Sequence, residues 1–118
     1  MTFHFDIGGF DAITTEVTLK DNHLHIYEHH GLRRPYQKPL LVNIKNNSDW
    51  DLSVEFLKRC KWKAEYYEEV YDGTQWTLRA ATGDVKLSYI GSNAFPEDFD
   101  YFLRVLNKLT SHVNISLT

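Results

Sequence analysis

Alternation of apolar and polar residues runs through the first third of the chain. Phe3, Phe5 and Ile7 alternate with Thr2, His4 and Asp6, the period-two pattern of a strand with one buried face, and Gly8-Gly9 is expected to end it. Ile13, Thr15, Val17 and Leu19 then alternate with Thr14, Glu16, Thr18 and Lys20, and the alternation resumes after Asp21-Asn22 as His23-Leu24-His25-Ile26-Tyr27-Glu28-His29. A two-residue loop at Asp21-Asn22 joins these runs into a hairpin. It sets Leu19 against Leu24 and Val17 against Ile26 on one face, and Thr18 against His25 and Glu16 against Tyr27 on the other. Asn tolerates positive φ, so a primed turn is feasible there without Gly.

Past this hairpin the pattern changes. Residues 31–39, which hold Arg33, Arg34 and Lys38 among Gly31, Pro35 and Pro39, read as an exposed connection. A short apolar strand is expected over residues 40–44, followed by a capping sequence at Asn46-Asn47-Ser48. Residues 49–61 fit two periods: Trp50, Leu52, Val54 and Phe56 alternate, while Trp50, Val54, Leu57 and Cys60 form a helical stripe. The helix is the better reading. An Asn or Ser cap, Asp49 and Asp51 in the first turn, and Lys58, Arg59 and Lys61 in the last all suit a helix dipole.

The segment 62–96 carries two of the three Trp and four of the seven Tyr, and the chain is organised around it. It reads as a hairpin entered through an Asp72-Gly73 turn and left through a Gly91-Ser92-Asn93 loop. Trp76, Leu78 and Ala80 alternate with Gln75, Thr77 and Arg79. A turn at Thr82-Gly83 would set Trp76 opposite Tyr89 and Leu78 opposite Leu87. The final run has Pro96 at a first-turn position, acids at Glu97, Asp98 and Asp100, and Phe99, Phe102, Leu103, Leu106 and Leu109 at helical spacing. It predicts a helix that covers the sheet.

Together these elements predict an α+β fold: a single antiparallel sheet of hairpins packed against a C-terminal helix and one central helix. At 118 residues, with 42% hydrophobic, 14% aromatic and 25% charged residues, the chain is expected to form one domain over 1–118 with its own core. A net charge of −3 gives no electrostatic footprint for a phosphate backbone, so nucleic acid is not an expected partner. The chain has no basic, apolar leader and no run of about 18 apolar residues, so a cytoplasmic location without a membrane partner is expected. The single Cys60 rules out an internal disulfide and reads as a small buried hydrophobe.

The candidate chemistry is sparse. His23, His25, His29 and His30 crowd one strand, and two imidazoles two residues apart could bind zinc. Their attachment points lie about 7 Å apart, however, and no third ligand stands at a recognisable spacing. An exposed polar face without metal is the expectation. No Gly-x-Ser-x-Gly, P-loop, Cys-x-x-Cys or His-Glu-x-x-His motif is present, and no catalytic residue or cofactor is assigned. The segment 65–72 is more informative: Glu65, Glu68, Glu69 and Asp72 interleave with Tyr66, Tyr67 and Tyr71. Carboxylates steer a basic protein partner and Tyr supplies contact area at small entropic cost, so Glu65, Tyr67, Glu68, Glu69, Tyr71 and Asp72 are the candidate partner-binding residues.

Trp62, Tyr66, Asp72-Gly73-Thr74-Gln75-Trp76 and Gly91-Ser92-Asn93-Ala94-Phe95-Pro96, followed by a Phe-rich helix, resemble a widespread bacterial domain. In that domain a Trp and a Tyr precede an Asp-Gly-Thr-Gln-Trp strand, and a Gly-Ser-Asn-Ala-aromatic-Pro loop leads into the last helix. In size, charge and surface character the chain also resembles immunity proteins of bacterial toxin systems, contact-dependent growth inhibition among them. That resemblance implies a non-catalytic protein that binds and neutralises a cognate, basic toxin domain. The alternative expectation is an enzyme subunit that binds a small molecule or metal in a pocket at the hairpin end, lined by Asp72, Gln75, Trp76, Ser92 and Asn93.

Overall fold

The computed structural model describes residues 1–9, 13–69 and 73–110. Its strands are β1 (Thr2–Gly9), β2 (Ile13–Lys20), β3 (His23–His30), β4 (Leu40–Asn43), β5 (Glu65–Tyr67), β6 (Thr74–Thr82) and β7 (Val85–Ser92), and its helices are α1 (Ser48–Arg59) and α2 (Phe99–Leu109). The strands form one sheet in the order β4-β3-β2-β1-β6-β7-β5. Every neighbouring pair is antiparallel except β5 and β7, which run parallel. This is the α+β architecture the alternation predicts, with one parallel pair added at an edge.

The β2–β3 hairpin has the register expected from its pattern, with Leu19 opposite Leu24 and Val17 opposite Ile26. Asp21 and Asn22 both take positive φ, at 53° and 60°, as a primed two-residue turn requires. Gly8-Gly9, expected to end β1, instead continue it opposite Gln75 and Thr74. A Cβ on Gly8 would overlap the Thr14 side chain, and one on Gly9 would press on the Gly73 carbonyl. These glycines allow close neighbours on both sides of β1; they do not break it.

The β6–β7 register also differs from expectation. The turn is Gly83-Asp84, so Trp76 lies opposite Gly91, Leu78 opposite Tyr89 and Ala80 opposite Leu87. Positive φ falls on Gly83, at 55°, where a turn residue must accept it. The shift is two residues along, so every side chain keeps its face. It brings the Trp76 indole across Gly91, where a Cβ would occupy the space of the ring.

Both helices pack on the face that carries Phe3, Phe5, Val17, Leu24, Trp76 and Leu78, all buried. Phe3 meets Trp50 of α1 edge-on at 5.5 Å, and Phe5 meets Phe102 of α2 at 5.1 Å. In α1 the Asn47 carboxamide oxygen accepts the N–H groups of Asp49 and Trp50, each at 3.1 Å, so the expected cap is made. Trp50, Ser53 and Leu57 are buried while Leu52 is 48% exposed, which agrees with helical spacing and excludes alternation. Helix α2 starts later than Pro96. Asp98 is its N-cap residue but makes no side-chain cap; its Oδ1 instead accepts the Trp62 indole N–H at 2.6 Å. Phe99, Phe102, Leu103, Leu106 and Leu109 are buried as their spacing requires.

Trp62 and Trp76 join these layers. Trp62 lies 5.5–5.7 Å from the rings of Phe56, Trp76, Tyr89, Phe99 and Phe102. Trp76 is 1% exposed, stacks obliquely on Phe99 at 4.7 Å, and donates its indole N–H to the Ala94 carbonyl at 3.0 Å. Trp76→Ala is therefore expected to cost about 3–5 kcal/mol, and Gly91→Ala about 1–3 kcal/mol by overpacking. The double variant should cost less than the sum, because the added methyl then occupies space the indole has vacated. Urea unfolding of the four proteins measures this coupling, and strict additivity would contradict the packing described.

Candidate functional site

Among the described residues, the approach to β5 is held from the β7 side and the core. Trp62 is fixed by its bond to Asp98, and the Lys63 N–H donates to the Tyr66 hydroxyl at 3.0 Å. Tyr66 is half-buried with its ring 6.1 Å from that of Trp76. The Ile90 N–H donates to the Ala64 carbonyl at 2.9 Å and the Glu68 N–H to the Ser92 carbonyl at 2.9 Å, which locks β5 onto β7. Asn93, at φ 61°, donates its Nδ2 to the Glu68 carbonyl at 3.0 Å, while its backbone N–H donates to the Thr74 carbonyl at 2.8 Å. The Asn93 carboxamide lies against Gly73, where a Cβ would collide with it. Asn93, through its side chain and its backbone N–H, thus joins the end of β5, the start of β6 and the end of β7.

With Tyr66 turned inward, strand alternation turns Glu65 and Tyr67 to the sheet face opposite the helices. Tyr67 is 73% exposed, and Glu65, Glu68 and Glu69 are exposed beside it. Lys61 and Lys63 are exposed just before the strand, so negative charge is concentrated at its C-terminal end. The structure therefore places four of the six candidate partner-binding residues together on the β5 edge. The other two, Tyr71 and Asp72, lie outside the described residues.

The residues of the alternative pocket are arranged otherwise. Trp76 faces the helices while Gln75 is exposed on the opposite face of the sheet, paired with Ser92. Asn93 is engaged with β5 as described, and Asp72 lies outside the described residues. The hollow beside Gln75 is lined by Asp6, Gly8, Gly9 and Thr14, an open depression over the two glycines of β1.

The helix-free face carries His4, His23, His25 and His29. His4 makes bonds to Asp6 Oδ2 at 2.7 Å and to Thr18 Oγ1 at 2.9 Å. His23, His25 and His29 each donate Nδ1–H to a backbone carbonyl, of Asp21, His23 and Gly31 respectively. Glu16 Oε2 sits 3.3 Å from His29 Nε2 and 3.2 Å from Arg33 Nε, and the Arg33 guanidinium lies 4.2 Å over the Tyr27 ring. The loop 31–39 is pinned to the sheet by these contacts, which sequence alone does not signal because Glu16 and Arg33 are far apart in the chain. Among the described residues, no group of three His, Cys, Asp or Glu side chains is placed to hold a metal ion.

Cys60 is half-buried, with its thiol against the Tyr89 hydroxyl. Burial pushes the thiol above its ordinary value, and burial, reinforced by Cys60 and Tyr66, pushes Tyr89 up to about 12. A raised thiol is a poor nucleophile at neutral pH.

No protein family, curated protein or solved structure matches the chain.

The Tyr89 environment gives a pH dependence with a definite sign. Below the ordinary tyrosine value of 10.0 both folded and unfolded chains keep the phenol protonated, and its contribution to stability is complete. As pH rises from there toward about 12 the unfolded chain loses that proton first, so stability should fall across this window. Tyrosinate absorbance during a pH titration should reveal one late-ionising tyrosine that Tyr89→Phe removes, and the variant should lose less stability at high pH. A Tyr89→Phe titration curve identical to that of the parent would overturn the assignment.

Proposed function

We propose that this chain is a non-catalytic, cytoplasmic bacterial immunity protein that binds a basic toxin domain and neutralises it by covering its active site. One observation carries the reading: Glu65, Tyr67, Glu68 and Glu69 stand exposed together on one edge of the sheet. None of the three carboxylates is in an ion pair among the described residues. Exposed carboxylates of one sign raise the encounter rate with a basic surface, and an adjacent Tyr supplies apolar contact once the partner has docked. The Trp62-Tyr66 and Asp72-Gly73-Thr74-Gln75-Trp76 motifs, by their resemblance to a bacterial domain, support a bacterial setting.

The test begins from the reading frame next to this one. A toxin domain encoded there, expressed alone, should arrest growth, and co-expression of this chain should restore it. Glu68→Lys combined with Glu69→Lys should weaken binding to that domain by roughly tenfold. The loss should grow as salt is lowered, because charges at an exposed rim are screened within about 10 Å at 0.1 M ionic strength. Unchanged affinity in the double variant would remove this patch from the interface.

A further inference from the structure

The backbone of β5 offers more than a place to hang acidic side chains. In a parallel ladder, alternate residues of an edge strand make both of their bonds inward and the residues between them face outward. Here the Ala64 carbonyl and the Glu68 N–H bond to β7, so the inward positions are 64, 66 and 68. Glu65 and Tyr67 therefore direct their N–H and C=O groups away from the sheet, and neither residue has a backbone partner among the described residues. The opposite edge is arranged differently. Strand β4 follows Pro39, which has no N–H to give, and exposed Lys38 and Lys45 flank it. Proline and lysine are devices that blunt an edge against added strands. On the β5 side Lys61 and Lys63 are exposed ahead of the strand, but no proline interrupts residues 62–69, and the side chains at and beyond the outward positions 65 and 67 are Glu65, Tyr67, Glu68 and Glu69.

We propose that the β5 edge accepts an extended, basic segment of the partner as an eighth strand, hydrogen-bonded to the backbone of Glu65 and Tyr67. The inference rests on the reading above and specifies how the partner is held. Main-chain bonds supply the common part of such recognition, and alternate side chains supply the selectivity. On the helix-free face the added strand would pass Glu65 and the 73% exposed ring of Tyr67. A lysine or arginine there meets a carboxylate and the face of an aromatic ring, both of which attract a cation. On the other face it would pass Tyr66 and Trp62, both partly buried and packed against the core, which favours apolar residues at the intervening positions. Glu68 and Glu69 extend the acidic character past the end of the strand. The segment this edge fits is one in which basic and apolar residues alternate.

A short synthetic peptide in which lysine alternates with valine probes this directly, beside one of the same composition with the lysines gathered at one end. A third peptide carries N-methyl groups on the amides that would face β5, so that charge is kept and strand pairing is not. The alternating peptide should bind, and the N-methylated and block peptides should each bind at least roughly tenfold more weakly. On binding, hydrogen exchange should slow at the Glu65 and Tyr67 amides and hardly change at Tyr66, whose amide is already bonded inward. Equal binding of the N-methylated peptide, or no added protection at Glu65 and Tyr67, would overturn strand addition. The acidic-surface reading would survive that result if toxin neutralisation still depended on Glu68 and Glu69. Conversely, peptide strand addition without any effect of those residues on a toxin would remove the acidic patch from the toxin interface and leave the edge site standing. Failure of every basic peptide to bind would overturn the edge site.

Discussion

The Trp76 indole must lie across a neighbouring strand that has no side chain at that point, and much of the structure follows from that. Gly91 supplies the gap, and the register that sets Gly91 opposite Trp76 also fixes the turn at Gly83-Asp84. The indole N–H reaches the Ala94 carbonyl, which draws the chain after β7 over the edge of the core and delivers it to α2 through Phe95 and Pro96. A buried indole without such an acceptor would leave a donor unpaired at a cost of about 1–3 kcal/mol. On the other side the ring packs against Trp62 and Tyr66, so the segment that becomes β5 is held at the sheet edge by the same side chain.

Diversion of one carboxylate illustrates how the aromatic cluster overrides local rules. Asp98 stands where an Asp ordinarily caps a helix through its side chain, yet its Oδ1 takes the Trp62 N–H, and the helix begins without that bond. The exchange favours tertiary structure: a cap bond serves one helix end, while the bond to Trp62 fixes a ring that touches five others. Asn47, which has no such competing donor, caps α1 in the ordinary way.

Alternation and turn chemistry made the β2–β3 hairpin legible to the residue, because Asp21-Asn22 leaves one closure that keeps the apolar residues on one face. The same reasoning placed the β6–β7 turn one residue early and so shifted the pairing of the two strands by two. A shift of two preserves every face, so a period of two carries no information about it. What selects the true register is the volume of Trp76 against Gly91, a contact between positions fifteen residues apart. Gly8-Gly9 misled for a related reason: their role lies in Thr14 and Gly73, which sequence does not bring near. Strand β5 is only three residues long and pairs parallel with a strand some 25 residues later, so no local pattern announces it. The candidate residues Glu65, Tyr67, Glu68 and Glu69 were legible as an acidic, tyrosine-bearing run, whereas their place on an open sheet edge was not. For the alternative pocket, alternation already places adjacent Gln75 and Trp76 on opposite faces, and the structure keeps them there.

Where a sheet leaves its hydrogen bonding incomplete decides where it can take a partner. The helix-free face is polar, but His4 is bonded to Asp6 and Thr18, and Glu16 lies between His29 and Arg33, so its groups largely answer one another. The β4 edge is short, follows a proline and is flanked by lysines. Strand β5 is shorter still and follows exposed Lys61 and Lys63, but no proline stands at its start, and outward backbone groups, carboxylates without an ion pair among the described residues and an exposed Tyr occur within five residues. Self-pairing of that edge in antiparallel fashion would bring the carboxylates of two copies together, and like charges set side by side disfavour it. In the proposed strand addition the acidic side chains would act twice: they would discourage β5 from pairing with itself and attract a strand of opposite charge. An edge left open for a partner would need both effects, since exposed backbone alone would make it a route to aggregation.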